Sequence, residues 1–129
     1  MAEKQVVRTE SAPAPLQGAP YSQGIQVGDL VFVAGQVGVR PGESDVVGAS
    51  VEEQTEQIMK NLGAILDAAG SGLDKLVKTT VFLVDFGDFG AMNDVYARYV
   101  GDRPPARATV EIAGLPMGAR IEVEAVGHL

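Results

Sequence analysis

The run VKTTVFLV, Val77 to Val84, is the feature that most constrains what this chain can become. It is β-branched and aromatic with no glycine or proline, which predicts a central strand, and it is apolar on both alternating sides, which demands cover on both faces. Helix signals flank it. Upstream, Ser50 and Glu53 form an S-x-x-E capping box. Behind it Val51, Ile58, Leu62, Ile65, Leu66 and Ala69 recur near the helical period until Gly70, a typical residue just past a helix C-terminus. Downstream, Asp88 reads as the cap of a second helix reaching about Tyr99. Its stripe of Phe89, Met92, Tyr96 and Tyr99 reads as core.

The remaining segments are strands and turns. A strand-like piece around Gln5 to Arg8 precedes the breaker-rich stretch SAPAPLQGAPYSQG, an ordered loop or linker. Ile25 to Val27 and Leu30 to Ala34, joined at Gly28-Asp29, predict a tight hairpin ended by Gly35. VGVRPGESDVVG is a second loop. Near the C-terminus ARATVEIA alternates, with Ala106, Ala108, Val110 and Ile112 on one side and Arg107, Thr109 and Glu111 on the other. LPMG turns the chain into ARIEVEAV, whose Ile121, Val123 and Ala125 point inward, opposite Arg120, Glu122 and Glu124. The order β-β-β-α-β-α-β-β gives an α+β fold. Right-handed crossovers place both helices on one face of a six-stranded mixed sheet. With no helix left for the other face, a partner subunit is its economical cover. The 129 residues fit one domain, 1–129.

Composition narrows the function. No apolar run reaches the roughly 18 residues of a membrane span, and MAEKQVVRTE lacks a secretory pattern, so a soluble cytoplasmic protein is expected. The absence of cysteine removes disulfides, thiolate metal sites and Cys nucleophiles. The single His128 stands beside the last residue, a poor place for a metal ligand or a relay, and reads as surface. Ten basic against 17 acidic residues give a net charge of −7, a field that disfavours nucleic acid or an anionic membrane. Nucleotide-loop and metal-helix motifs are absent, and neither metal nor cofactor is expected.

Single residues therefore carry the chemistry. Arg107, with no acidic residue within three positions, offers a planar five-donor fork suited to a carboxylate, although a strand arginine can also be merely solvated. Glu122 is either a functional carboxylate or part of a solvated acidic strand face shared with Glu124. Tyr21, in GAPYSQG, presents an apolar body with a polar tip that could line a pocket.

Taken together, GAPYSQG, VFVAGQ, VKTTVFLVDFGDFGAMNDVYARYV and PPARATVEIAGLPMGARIEVEAV resemble the Rid (YjgF) family from about Val6 to Val126. The block P-x-R-x-x-V-E-x-x-x-L-P, Pro105 to Pro116, is the most specific part. The resemblance implies a chorismate-mutase-like fold, a homotrimer with clefts between subunits, and a deaminase of the RidA type. Such an enzyme hydrolyses enamine and imine intermediates such as 2-aminoacrylate to 2-keto acids and ammonia. By the same resemblance Arg107 would clamp the substrate carboxylate, Glu122 would activate water and Tyr21 would line the pocket. The backbone at Gly35 and Thr109 would touch substrate, with Asn93 near the cleft. Thr109 stands where many relatives have Cys, and Ala34 where many have a hydroxyl residue, which bears on substrate range. A non-catalytic carboxylate-binding trimer and an RNA-cleaving translation inhibitor are the competing readings.

Overall fold

The computed structural model describes residues 3–129, and its elements follow the expected order. The strands are β1 (Gln5–Val7), β2 (Gly24–Val27), β3 (Leu30–Gln36), β4 (Leu76–Leu83), β5 (Ala106–Glu111) and β6 (Ile121–His128), and the helices are α1 (Val51–Ala68) and α2 (Phe89–Val100). They form one six-stranded sheet ordered β1-β2-β3-β6-β4-β5. Strand β6 lies between β3 and β4, antiparallel to both, while β5 runs parallel to β4 at the edge. The sheet is therefore mixed, as the crossover argument requires.

The helices cover one face. Val31, Val33, Val81, Leu83, Ile121, Val123 and Ala125 point toward α1 and α2 and bury with Ile58, Met59, Leu62, Ile65, Leu66 and Met92. Helix α1 starts as its capping box dictates: Ser50 Oγ accepts from the Glu53 amide at 3.1 Å and its hydroxyl donates to Glu53 Oε1 at 2.9 Å. Its buried side also carries Gln54, Thr55 and Asn61, which the apolar pattern passes over. Each is satisfied: Gln54 joins Gly48 to the Arg120 amide, Thr55 donates to the Val51 carbonyl, and Asn61 donates to the Val39 carbonyl.

Several boundaries shift, and three expectations are corrected. Gly35 does not end β3, because an irregularity between Val33 and Gln36 absorbs it and pairing with β6 resumes at Gln36. Asp88 does not cap α2 with its side chain, since its own backbone is already helical; its carboxylate instead takes a bidentate pair from Arg120 at 2.9 and 3.1 Å. The chain end is not frayed: His128 pairs with Leu30, and the Leu129 amide donates to the Asp29 carbonyl at 3.0 Å. The His128 side chain is exposed, as read from its position.

Among the described residues nothing covers the second face, where Phe32, Val84 and Val110 are 43, 37 and 42% exposed. Among the described residues no helix is long and apolar enough to cross a membrane.

The loop after β3 lies directly on α1. A Cβ added at Gly38 would stand 2.8 Å from the Gln54 Cα and 2.9 Å from its carbonyl oxygen, backbone that cannot swing aside. Gly38→Ala should therefore cost about 1–3 kcal/mol, read as a lower urea midpoint at unchanged slope.

Candidate functional site

Arg107 owes its setting to register. Strand β5 pairs with β4 so that Arg107 stands beside Thr79, Thr109 beside Val81 and Glu111 beside Leu83. Thr79, Val81 and Leu83 are buried beneath the helices, so Arg107 is on the helix side of the edge strand. This corrects the solvated-surface alternative. Its guanidinium carbon lies 4.9 Å from the Tyr96 ring centre and 5.6 Å from that of Phe89, both on α2. Phe89 in turn stacks on Phe86 at 4.9 Å. Among the described residues no carboxylate lies within ion-pair distance of Arg107. Asn93, one turn past Phe89, encloses its Oδ1 without a hydrogen-bond partner.

Glu122 is held on the opposite face. Strand β6 pairs Phe82 with Glu122 and Thr80 with Glu124, and both glutamates share the uncovered side of the sheet with Val110. Burial pushes the Glu122 carboxyl above the ordinary value of 4.5, and the neighbouring Glu124 charge pushes it further the same way. Gly35 on β3 makes room for it: a Cβ there would lie 2.8 Å from the Glu122 Cδ and 3.0 Å from its Oε2. Tyr21 and Gly35 line one small cleft with Leu16 and Val37. The Tyr21 hydroxyl accepts from the Leu16 amide at 2.8 Å, which fixes the loop around it. Next to Gly35, Ala34 donates its amide to the Gln23 carbonyl at 2.9 Å.

The seven residues singled out by sequence thus fall into two groups within one chain. Arg107, Thr109 and Asn93 lie on the β5-α2 flank, and Tyr21, Ala34, Gly35 and Glu122 lie toward β3 and the open face. Of the residues that complete the surroundings of Arg107, Phe89 and Tyr96 read only as core in the sequence because they form an aromatic stripe at helical spacing, and Thr79 reads only as part of a central strand. Only the β4-β5 register, with the helix laid over it, reveals them. A cavity of about 740 Å³ between β1 and the proline-rich loop meets this set only at Tyr21, so size alone does not locate the chemistry.

A family profile described as Endoribonuclease L-PSP matches residues 9–129. The chain is 44% identical over 125 residues to a RutC family protein of Pyrococcus horikoshii, spanning 97% of this chain and 98% of that one. It is also 44% identical over 123 residues to the 2-iminobutanoate/2-iminopropanoate deaminase of Mus musculus, spanning 95% and 90%. The crystal structure of the YjgF gene product from E. coli superposes with a TM-score of 0.89 at 38% identity, over 96% of this chain and 98% of that one. The chain belongs to the Rid (YjgF) family. The Rid-type sheet with two helices on one side is therefore both the observed architecture and the one that its relatives share.

For this Rid chain the electrostatics of Glu122 give a signed expectation. A carboxyl with a raised folded-state value keeps its proton in the native state to higher pH than in the unfolded chain. Its contribution to stability is thus present below pH 4.5 and is lost as pH rises through the raised value. Urea midpoints across that window should fall more for wild type than for Glu122→Gln, and side-chain NMR should place the Glu122 midpoint above 4.5.

Proposed function

We propose that this Rid protein is an imine deaminase that hydrolyses 2-imino acids, and the enamines in equilibrium with them, to 2-keto acids and ammonia. One observation carries the reading: Arg107 presents a guanidinium packed over two aromatic rings, and among the described residues its fork meets no carboxylate. An unpaired arginine fork is a carboxylate receptor. The name of the mouse relative supplies the substrate class, a small acid bearing an imine.

The chemistry asks for positioning. With the substrate carboxylate on Arg107, the imine carbon next to it is already electrophilic. Glu122 takes a proton from water as the water oxygen bonds to that carbon of the protonated imine, giving a neutral carbinolamine. The proton then passes to nitrogen, the C–N bond breaks as ammonia leaves, and the hydroxyl proton returns to Glu122 as the carbonyl forms. The raised basicity of Glu122 suits the proton-accepting step. Tyr21 and the backbone at Gly35 and Thr109 would shape the pocket, and Ala34, lacking a hydroxyl, would leave the side-chain end less polar.

Arg107 and Glu122 stand on opposite faces of one sheet, so a single chain cannot bring both to one substrate. The reading therefore includes a homotrimer in which one chain's Arg107 flank meets the Glu122 side of the next. The exposed apolar face carrying Phe32, Val84 and Val110 supports such a partner. The profile's ribonuclease description offers a second reading, which the −7 charge disfavours because a polyanion gains no counterion release here.

Arg107→Ala and Glu122→Gln should each reduce keto-acid release from freshly generated 2-aminoacrylate to the uncatalysed rate. Chains of the two variants, co-expressed in equal amounts, should recover about one quarter of wild-type activity, the share of sites assembled from one intact half of each. Full activity in Arg107→Ala would overturn the reading, and a mixture with no recovery would refute the shared site. In wild type, kcat/KM should fall as pH drops through the raised Glu122 value, because the base is then protonated.

A further inference from the structure

Tyr96 is the closest aromatic face to the Arg107 guanidinium and is only 5% exposed. A buried phenol needs a partner for its hydroxyl, and here Thr79 Oγ1 meets it at 2.7 Å. Thr79 is also the residue that pairs with Arg107 across the β4-β5 ladder. The three side chains form a closed unit: strand register sets Thr79 beside the root of Arg107, Thr79 fixes the tilt of the Tyr96 ring, and the ring supports the guanidinium. Burial pushes the Tyr96 phenol above its ordinary value of 10, with the Thr79 bond and both the charge and an N–H contact of Arg107 opposing only in part, so the ring stays neutral at physiological pH.

The alternative is that Tyr96 merely fills space between α2 and the sheet, as leucine or methionine would. The geometry favours a directional role. The ring lies 4.9 Å from a guanidinium that has four rotatable side-chain bonds and, among the described residues, no carboxylate partner, so ring contacts from Tyr96 and, at 5.6 Å, Phe89 are what hold its fork. Packing over a ring face leaves most of the five N–H donors of Arg107 for a ligand. The second arginine at the head of a strand, Arg120, is fixed instead through its N–H edge by Asp88, which takes two of its donors.

We propose that Tyr96, oriented by Thr79, is the positioning residue that aims Arg107 at the substrate carboxylate. This rests on Arg107 as the carboxylate clamp but not on the deaminase step itself. Tyr96 touches no substrate atom and acts through the guanidinium, so its loss weakens carboxylate binding in the ground state and the transition state together. That signature is a raised KM with kcat little changed.

The experiment compares Tyr96→Leu, Tyr96→Phe and the shape-conserving double variant Thr79→Val/Tyr96→Phe in the full-length protein. KM is measured with 2-iminobutanoate generated in situ by an amino-acid oxidase, and the Kd of 2-oxobutanoate by NMR titration. Tyr96→Leu should raise both about tenfold, with kcat within about threefold. Tyr96→Phe, which keeps the ring but loses the anchor that sets its tilt, should raise both about threefold, and the double variant should match it because it lacks the same anchor; values equal to wild type would remove Thr79 from the proposal. Equal values for Leu and Phe, or a lower kcat and melting temperature at unchanged KM and Kd, would show a packing role and sink the proposal. Should Tyr96→Leu fail to fold, Tyr96→Met takes its place with the same expectation. A wild type that binds 2-oxobutanoate but turns over no imine would remove the deaminase reading, with the Kd series still deciding Tyr96. Normal turnover with a flat Kd series would do the reverse. A wild type that neither binds nor turns over would overturn both.

Discussion

The structure depends on the insertion of β6 between β3 and β4. Because β6 hydrogen-bonds on both edges, its register is fixed twice, and a slip of one residue would turn Ile121, Val123 and Ala125 out of the core and bury Glu122 and Glu124 beneath the helices. That penalty locks the glutamates onto the uncovered face. Strand β5 inherits its orientation from β4 through the parallel ladder, which locks Arg107 onto the covered face beside Thr79. Two chemical groups are thereby assigned to opposite sides of one sheet by the period-two pleat alone. No side-chain rotation can reunite them within a chain.

The two strands that follow the second helix make the point in sequence terms. Ala106 to Glu111 reads ARATVE and Ala119 to Glu124 reads ARIEVE, so each opens on Ala-Arg and closes on Val-Glu. Yet Arg120 is spent on structure: its guanidinium closes on Asp88 at the head of α2 while its amide is held by Gln54 of α1. Arg107 has aromatic faces and an unclaimed fork. A partly sequestered guanidinium that forgoes ion pairing sacrifices electrostatic stabilisation, and such a sacrifice is most readily understood where a ligand completes the pair. Glu111, which closes the first segment, accepts from the Phe86 amide, whereas Glu122 within the second stands beside its like-charged neighbour Glu124 and against the space left by Gly35.

This contrast marks what the chain reveals before folding. Element order, the capping box at Ser50 and the inward residues of β6 follow from periodicity and local chemistry, which act over a few residues. The role of Asp88 did not follow, because a cap and an ion-pair partner look identical until a residue 32 positions away is brought alongside. Gly35 looked like a stop because strand propensity is local, whereas a β6 partner that resumes pairing at Gln36 is not. Tyr96 was legible as buried but not as a support for Arg107, since its neighbour is set by β4-β5 register and not by spacing along α2. The candidate site residues were recognisable as a set through family likeness. Their division into two flanks was not, because which face a strand residue occupies depends on what the sheet buries.

That division also bears on how assembly and basicity are linked. Glu122 lies on the face that a partner would cover, and its carboxyl is raised above the ordinary value by burial even in the single chain. Covering that face removes more water from the carboxylate, which raises its basicity further, while the guanidinium that the neighbouring chain brings alongside opposes that rise. The Arg107 flank has no such dependence, because the rings of Phe89 and Tyr96 and the Thr79 anchor all belong to its own chain. Under the shared-site reading, the clamp is thus built by folding and the base is tuned by association. A chain that folds alone would retain an oriented arginine with nothing to act on the imine that it holds.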